Sequence, residues 1–123
     1  MSELVRAFYK TGVYMAELME VQEQNQRALV KILAVLKHPT QGDLHHPKET
    51  DVPLFHERKA LAQYEKTWVP LSSMKPYEGE KLEYVPSLEQ AWTKLYQELN
   101  TDQSAWARLS MEKLIEVRKE YGF

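Results

Sequence analysis

The 123-residue sequence contains no cysteine. Disulfides, thiolate metal sites and cysteine nucleophiles are excluded, as is a lipid carried on a cysteine. Glycine is scarce: four residues lie scattered along the chain, so no glycine-rich loop is present to cradle ATP or a dinucleotide. Ser72 and Ser73 sit in no G-x-S-x-G elbow, the context that exposes a nucleophilic serine. Charge of neither sign dominates. Lys and Arg number 16 against 18 Asp and Glu, a net charge of −2, and both signs are spread evenly. Broad electrostatic binding to nucleic acid or to an anionic membrane is therefore disfavoured. No apolar run is long enough to span a bilayer, and the start, MSELVRAFYKTG, has no signal-peptide core. A cytoplasmic location is expected.

The residues present are those of an ordinary globular chain, 43% hydrophobic and 28% charged, and the length predicts a single domain. Leu4–Tyr9 (LVRAFY) has the aromatic and β-branched character of a strand. Lys10-Thr11-Gly12 signals a turn, and Val13–Val21 reads as the second strand of a hairpin. A polar connector, Gln22–Gln26, follows, with Asn25 as the expected turn residue. Arg27–Lys37 is nearly continuously apolar, as in a strand buried on both faces, although Ala28, Leu29, Ile32, Leu33 and Leu36 also fit helical spacing. Arg58–Val69 is ambiguous in the same way, with Tyr64, Thr67, Trp68 and Val69 favouring strand in its second half. Leu71–Tyr77 reads as a short edge strand near Pro76, and Glu78–Pro86 as a linker. From Ser87 the pattern becomes helical. Ser87 with Gln90 resembles a capping box. Leu88, Ala91, Trp92, Leu95 and Leu99 share one helical face. Asn100-Thr101-Asp102 ends that helix. Trp106, Leu109, Leu114, Ile115 and Val117 furnish a second one, with a break or kink expected at Ser110 and Gly122 as its stop. The expected architecture is mainly β with C-terminal α: a small barrel unit over residues 1–84 and a helical pair over 87–121 packed on it.

Chemistry-bearing residues concentrate between Lys37 and Leu61, KHPTQGDLHHPKETDVPLFHERKAL. All four histidines, three of six prolines and four acidic residues lie there. Such a stretch reads as a long constrained loop. Its histidines match no zinc pattern: His56-Glu57 is followed by Arg58-Lys59-Ala60, not by the x-x-H of a metalloprotease helix. Ordinary loop hydrogen bonding is the favoured reading, so no metal or other cofactor is expected. His with Asp or Glu is also the usual acid–base kit, but turn capping by Asp43 and Asp51 is the more economical reading. As an interaction surface, the loop offers His38, Asp43, His45, His46, Asp51, Phe55, His56 and Arg58 as candidate partner-binding residues. Phe55 and Arg58 are the expected anchors; Pro39, Gly42, Pro47 and Pro53 would hold the loop's shape.

With AFYKTGVYMAEL before it, MKPYEGE after it and the W-A-x-L-S segment at Trp106–Ser110, this stretch closely resembles the kinase-associated protein B family, also called kinase-associated lipoprotein B, of spore-forming Gram-positive bacteria. The resemblance implies an SH3-like barrel with appended helices. It further implies a non-enzymatic regulatory accessory protein, linked to a membrane sensor histidine kinase and the phosphorelay that controls entry into sporulation. Such a protein acts by protein–protein binding, with the kinase or another phosphorelay protein as partner, and could be recruited to the membrane through that partner. The alternative from a different class is a small metal- or ligand-binding enzyme built on the loop 38–56. Pairing of two copies through the helices stays open.

Overall fold

The computed structural model describes residues 3–42 and 57–122. β1 (Leu4–Tyr9) turns into β2 (Gly12–Gln22) through two residues, Lys10 and Thr11, both with positive φ (44° and 71°). That geometry matches the twist of a two-residue hairpin. The glycine beside the turn serves a different need. A Cβ on Gly12 would lie 2.5 Å from the Tyr14 hydroxyl, so glycine here makes room for a neighbouring ring. The Thr11 hydroxyl accepts a hydrogen bond from Thr40 N–H, which ties the strained turn to the chain leaving β3.

β3 (Arg27–Lys37) returns antiparallel to β2 after a single 3-10 turn at Glu23–Asn25. Asn25, the expected turn residue, lies in that turn, and the left-handed position follows at Gln26 (φ 54°). The two strands lose register in three places. Leu33 and Leu36 on β3, and Met19 on β2, are left without an opposite residue. Each such bulge bends its strand and adds twist. β4 (Lys66–Pro70) pairs with β3, and β5 (Met74–Pro76) pairs with β1 as a short edge strand. The order across the sheet is β4-β3-β2-β1-β5, all antiparallel. β4 nevertheless approaches β1, because the sheet curls. Among the described residues no ladder closes it, so the result is an open, SH3-like small barrel. Tyr64, expected within a strand, instead precedes β4 with φ 67°. A left-handed aromatic cannot continue an extended ladder.

Val5, Ala7, Tyr14, Ala16, Val30, Ile32 and Val69 fill the barrel, and Leu88 and Ala91 of α1 (Tyr84–Asp102) join the same cluster. Val13 to Ala16 are all buried, so this part of β2 is covered on both faces. α1 begins three residues before the expected start. Ser87 does not cap it: Ser87 N–H already bonds Glu83 O, placing the residue inside the first turns. Its hydroxyl donates to Tyr84 O and accepts from Val35 N–H at 3.0 Å. It thereby satisfies a strand donor beside the Leu36 bulge and pins the helix to β3. Pro86 is accommodated because first-turn N–H groups need no helical partner.

α2 (Ala105–Tyr121) is capped by Ser104, whose side chain accepts from Ala107 N–H, and ends at Gly122 (φ 82°). Trp92, Leu95, Leu99, Trp106, Ala107 and Leu114 form a second core between the helices. Ile115, expected on the packed face, is exposed. No break occurs at Ser110: the helix continues through it. Ser110 is fully buried and its hydroxyl has no hydrogen-bond partner among the described residues. A buried hydroxyl without a partner opposes folding. Ser110→Ala is therefore expected to leave stability unchanged or raise it by up to about 1 kcal/mol. A urea titration showing a loss of that size instead would contradict this account.

Candidate functional site

Where β3 ends, the chain meets a cluster of buried polar groups that holds together the two ends of the segment between Gly42 and Glu57. His38 is 0% exposed. Its Nδ1 lies 3.0 Å from Pro39 O. A carbonyl can only accept, so Nδ1 carries the proton. Nε2, 2.8 Å from the Tyr121 hydroxyl, is then the acceptor and Tyr121 the donor. The Tyr121 oxygen in turn accepts from Ala60 N–H at 2.8 Å. One chain of hydrogen bonds thus joins the end of β3, the returning segment and the last residue of α2. Burial lowers the His38 pKa to about 4, so the ring is neutral near pH 7.

Two further tyrosines complete the junction. The Tyr14 hydroxyl accepts from Leu61 N–H, and the Tyr84 hydroxyl donates to Leu61 O. Residues 60 and 61 lie outside any ladder, and these hydroxyls supply the partners a strand neighbour would otherwise provide. Burial pushes the pKa of Tyr84 and of Tyr121 up to about 12, and that of Tyr14 higher still. All three remain neutral donors and acceptors at physiological pH.

Gln41, also buried, clamps the returning strand of chain. Its Oε1 accepts from Arg58 N–H, and its Nε2 donates to Arg58 O and Pro39 O. Arg58 Nε donates to Gly42 O at 3.0 Å, and Gly42 adopts φ 104°. Gln41→Ala would strand the N–H and carbonyl of Arg58 in a half-buried setting. The expected cost is about 2–3 kcal/mol, with hydrogen exchange at Arg58 N–H accelerated well beyond that of β2 amides. Unchanged exchange at Arg58 would show that the clamp is not what holds this segment.

Of the residues singled out by sequence, His38 and Arg58 are therefore brought together at this junction. His38 faces inward, with both ring nitrogens engaged. Arg58 is half-buried. Asp43, His45, His46, Asp51, Phe55 and His56 lie outside the described residues. Among the described residues no three His, Asp or Glu side chains gather in metal-binding fashion. Gln41, Tyr14, Tyr84 and Tyr121 were not legible as site residues. The one available hint was seven tyrosines against three phenylalanines, an excess of rings that carry a hydroxyl. A separate groove of about 530 Å³ lies between Leu4, Glu17, Leu33, Tyr64 and the 81–86 segment.

Fold and junction together define a small open barrel with a helical pair, sealed by tyrosines where residues 60 and 61 return beside His38. The sequence profile described as "Kinase associated protein B" matches residues 9–122, and the chain belongs to that family. It is 51% identical over 118 residues to the kinase-associated lipoprotein B of Bacillus subtilis (strain 168), covering 96% of this chain and 91% of the relative. The crystal structure of kinase-associated protein B from Bacillus cereus superposes with a TM-score of 0.82 at 35% identity, covering 98% of this chain and 95% of that one. No described helix is long and apolar enough to cross a membrane.

Proposed function

We propose that this chain is a non-enzymatic regulatory accessory protein that acts by binding a signalling kinase. The observation that carries this reading is the 51% identity, across nearly the whole chain, to a relative named for association with a kinase. The partner we assign is a membrane sensor histidine kinase, or another member of the phosphorelay leading into sporulation. The protein works on the cytoplasmic side and is recruited to the membrane by that partner. The chemistry of the junction supports binding over catalysis. His38, the described histidine, has both nitrogens occupied and is unavailable as a base or a metal ligand. The contact surface we assign to the loop residues Asp43, His45, His46, Asp51, Phe55, His56 and Arg58, with His38 anchoring the loop's base.

The test is isothermal calorimetry, with chemical cross-linking in parallel, between the purified chain and the cytoplasmic part of the sensor kinase. Saturable one-to-one heat, lost in a His45→Ala, His46→Ala, His56→Ala variant, is the expected result. No heat and no cross-link would overturn the kinase reading. A stoichiometric metal in the wild type that this variant lacks would replace it with the metal-dependent alternative.

A further inference from the structure

We propose that the cavity beside the β1–β2 turn is a binding site for a phosphate group. The cavity measures about 300 Å³ and is lined by Tyr9, Lys10, Tyr14, Pro39, Leu61 and the run Glu57-Arg58-Lys59. Among the described residues, three cationic ones stand there against one carboxylate, Glu57. Lys59 is partly neutralised by its ion pair with Glu120 at 2.8 Å. Lys10 Nζ rests over the Tyr9 ring, 5.3 Å from its centroid, without a carboxylate partner among the described residues. Arg58 uses Nε on Gly42 O; its two terminal nitrogens have no partner among the described residues.

A second, independent observation points to a ligand that accepts hydrogen bonds. Tyr14 is 1% exposed and lines this cavity. Its oxygen accepts from Leu61 N–H, yet its own proton has no acceptor among the described residues. A buried donor without an acceptor calls for an explanation. The Gly12 position sharpens the point. A Cβ there would lie 2.5 Å from that hydroxyl, so glycine is what lets the Tyr14 ring and its hydroxyl occupy this place. A lysine, an arginine and a buried tyrosine therefore line one cavity, and each carries a donor. Charge-assisted bonds of this kind are the strong ones, and a guanidinium matches phosphate oxygens two at a time. The cationic excess suits a dianion better than a monoanion, which favours phosphate over carboxylate. The volume exceeds that of a bare phosphate ion, so the natural ligand is a phosphate monoester with its substituent directed outward. This proposal stands apart from the kinase reading and does not depend on it.

The test is an amide-resolved NMR titration of the full chain with inorganic phosphate at constant ionic strength and pH 7, repeated with phenyl phosphate and with acetate. Expected are saturating shifts confined to residues 9–12 and 58–61, with phenyl phosphate binding at least as tightly as phosphate and acetate at least ten-fold more weakly. Lys10→Gln, at an exposed turn position, and Arg58→Gln should each weaken binding about ten-fold, the loss of one charge-assisted bond. Tyr14→Phe should weaken it as well, but it also removes the acceptor for Leu61 N–H, so Lys10→Gln carries the decision. Shifts scattered over every Lys and Arg would mean general screening and overturn the proposal. So would acetate binding as well as phosphate, or a Lys10→Gln protein that titrates like wild type.

Discussion

Trp92→Ala is expected to lower the unfolding free energy by about 3–5 kcal/mol, the usual cost of emptying a large aromatic from a core. Three contacts make this residue the pivot of the helical pair. Its Nε1–H donates to Leu114 O at 2.9 Å, from α1 to α2. Its ring stacks on Tyr96 with centroids 5.0 Å apart and planes 10° from parallel. The Arg118 guanidinium sits 4.7 Å from its centroid. Alanine loses all three and leaves a void against Leu95 and Leu114. With urea slopes of about 1–3 kcal/mol per molar for small proteins, the midpoint should fall by at least about 1 M. Trp92→Phe keeps most of the ring volume and should cost roughly half as much. A Trp92→Ala midpoint within about 0.3 M of wild type would mean that the helices contribute little to the cooperative unit.

Acidification should destabilise the protein through His38. An ordinary histidine titrates near 6.5, and burial holds this one at about 4. Between those values the unfolded chain carries a proton here that the folded chain refuses. Stability is therefore intact above about pH 6.5, falls as the pH drops toward 4, and by then has lost at most about 3 kcal/mol from this group. Protonated Nε2 would also point a hydrogen at Tyr121, whose oxygen already accepts from Ala60 N–H. The end of α2 and the returning segment should loosen together. The measurement is the urea midpoint from pH 7 to 4.5 for wild type and for His38→Gln, which cannot titrate. The variant should start lower and fall less steeply; parallel curves would place the acid sensitivity elsewhere.

Much of the architecture was legible in the sequence. The apolar, β-branched run Arg27–Lys37, the hairpin signal at Lys10-Thr11-Gly12 and the Leu88–Leu99 helical stripe all describe local preferences, and local preferences survive folding. The errors came where a long-range bond overrode a local signal. Ser87 has the look of an N-cap, but Val35 N–H, 52 residues away, claims its hydroxyl. Ser110 looks like a helix interruption, yet packing between two helices carries it through. Tyr64 has strand propensity, but the path from Leu61 into β4 needs a reversal at that point.

His38 shows the same division at the site. Its presence among four histidines and its neighbour Pro39 are plain from the sequence, and together they suggest a loop residue making ordinary hydrogen bonds. Only the packed structure reveals that Tyr121, 83 positions later, closes over it. The order of elements, the two apolar stripes, the absence of thiol chemistry and the resemblance to a family could all be read without coordinates. The first three follow from composition and from periods of two and of 3.6 residues, which neighbours in the chain suffice to set; the resemblance rests on the motifs themselves. Only folding settled which polar groups are buried, what Gln41 and the three tyrosines hold, and which side chains line the cavity beside Lys10. Those depend on partners many residues apart, and the spacing of residues along a chain carries no record of them.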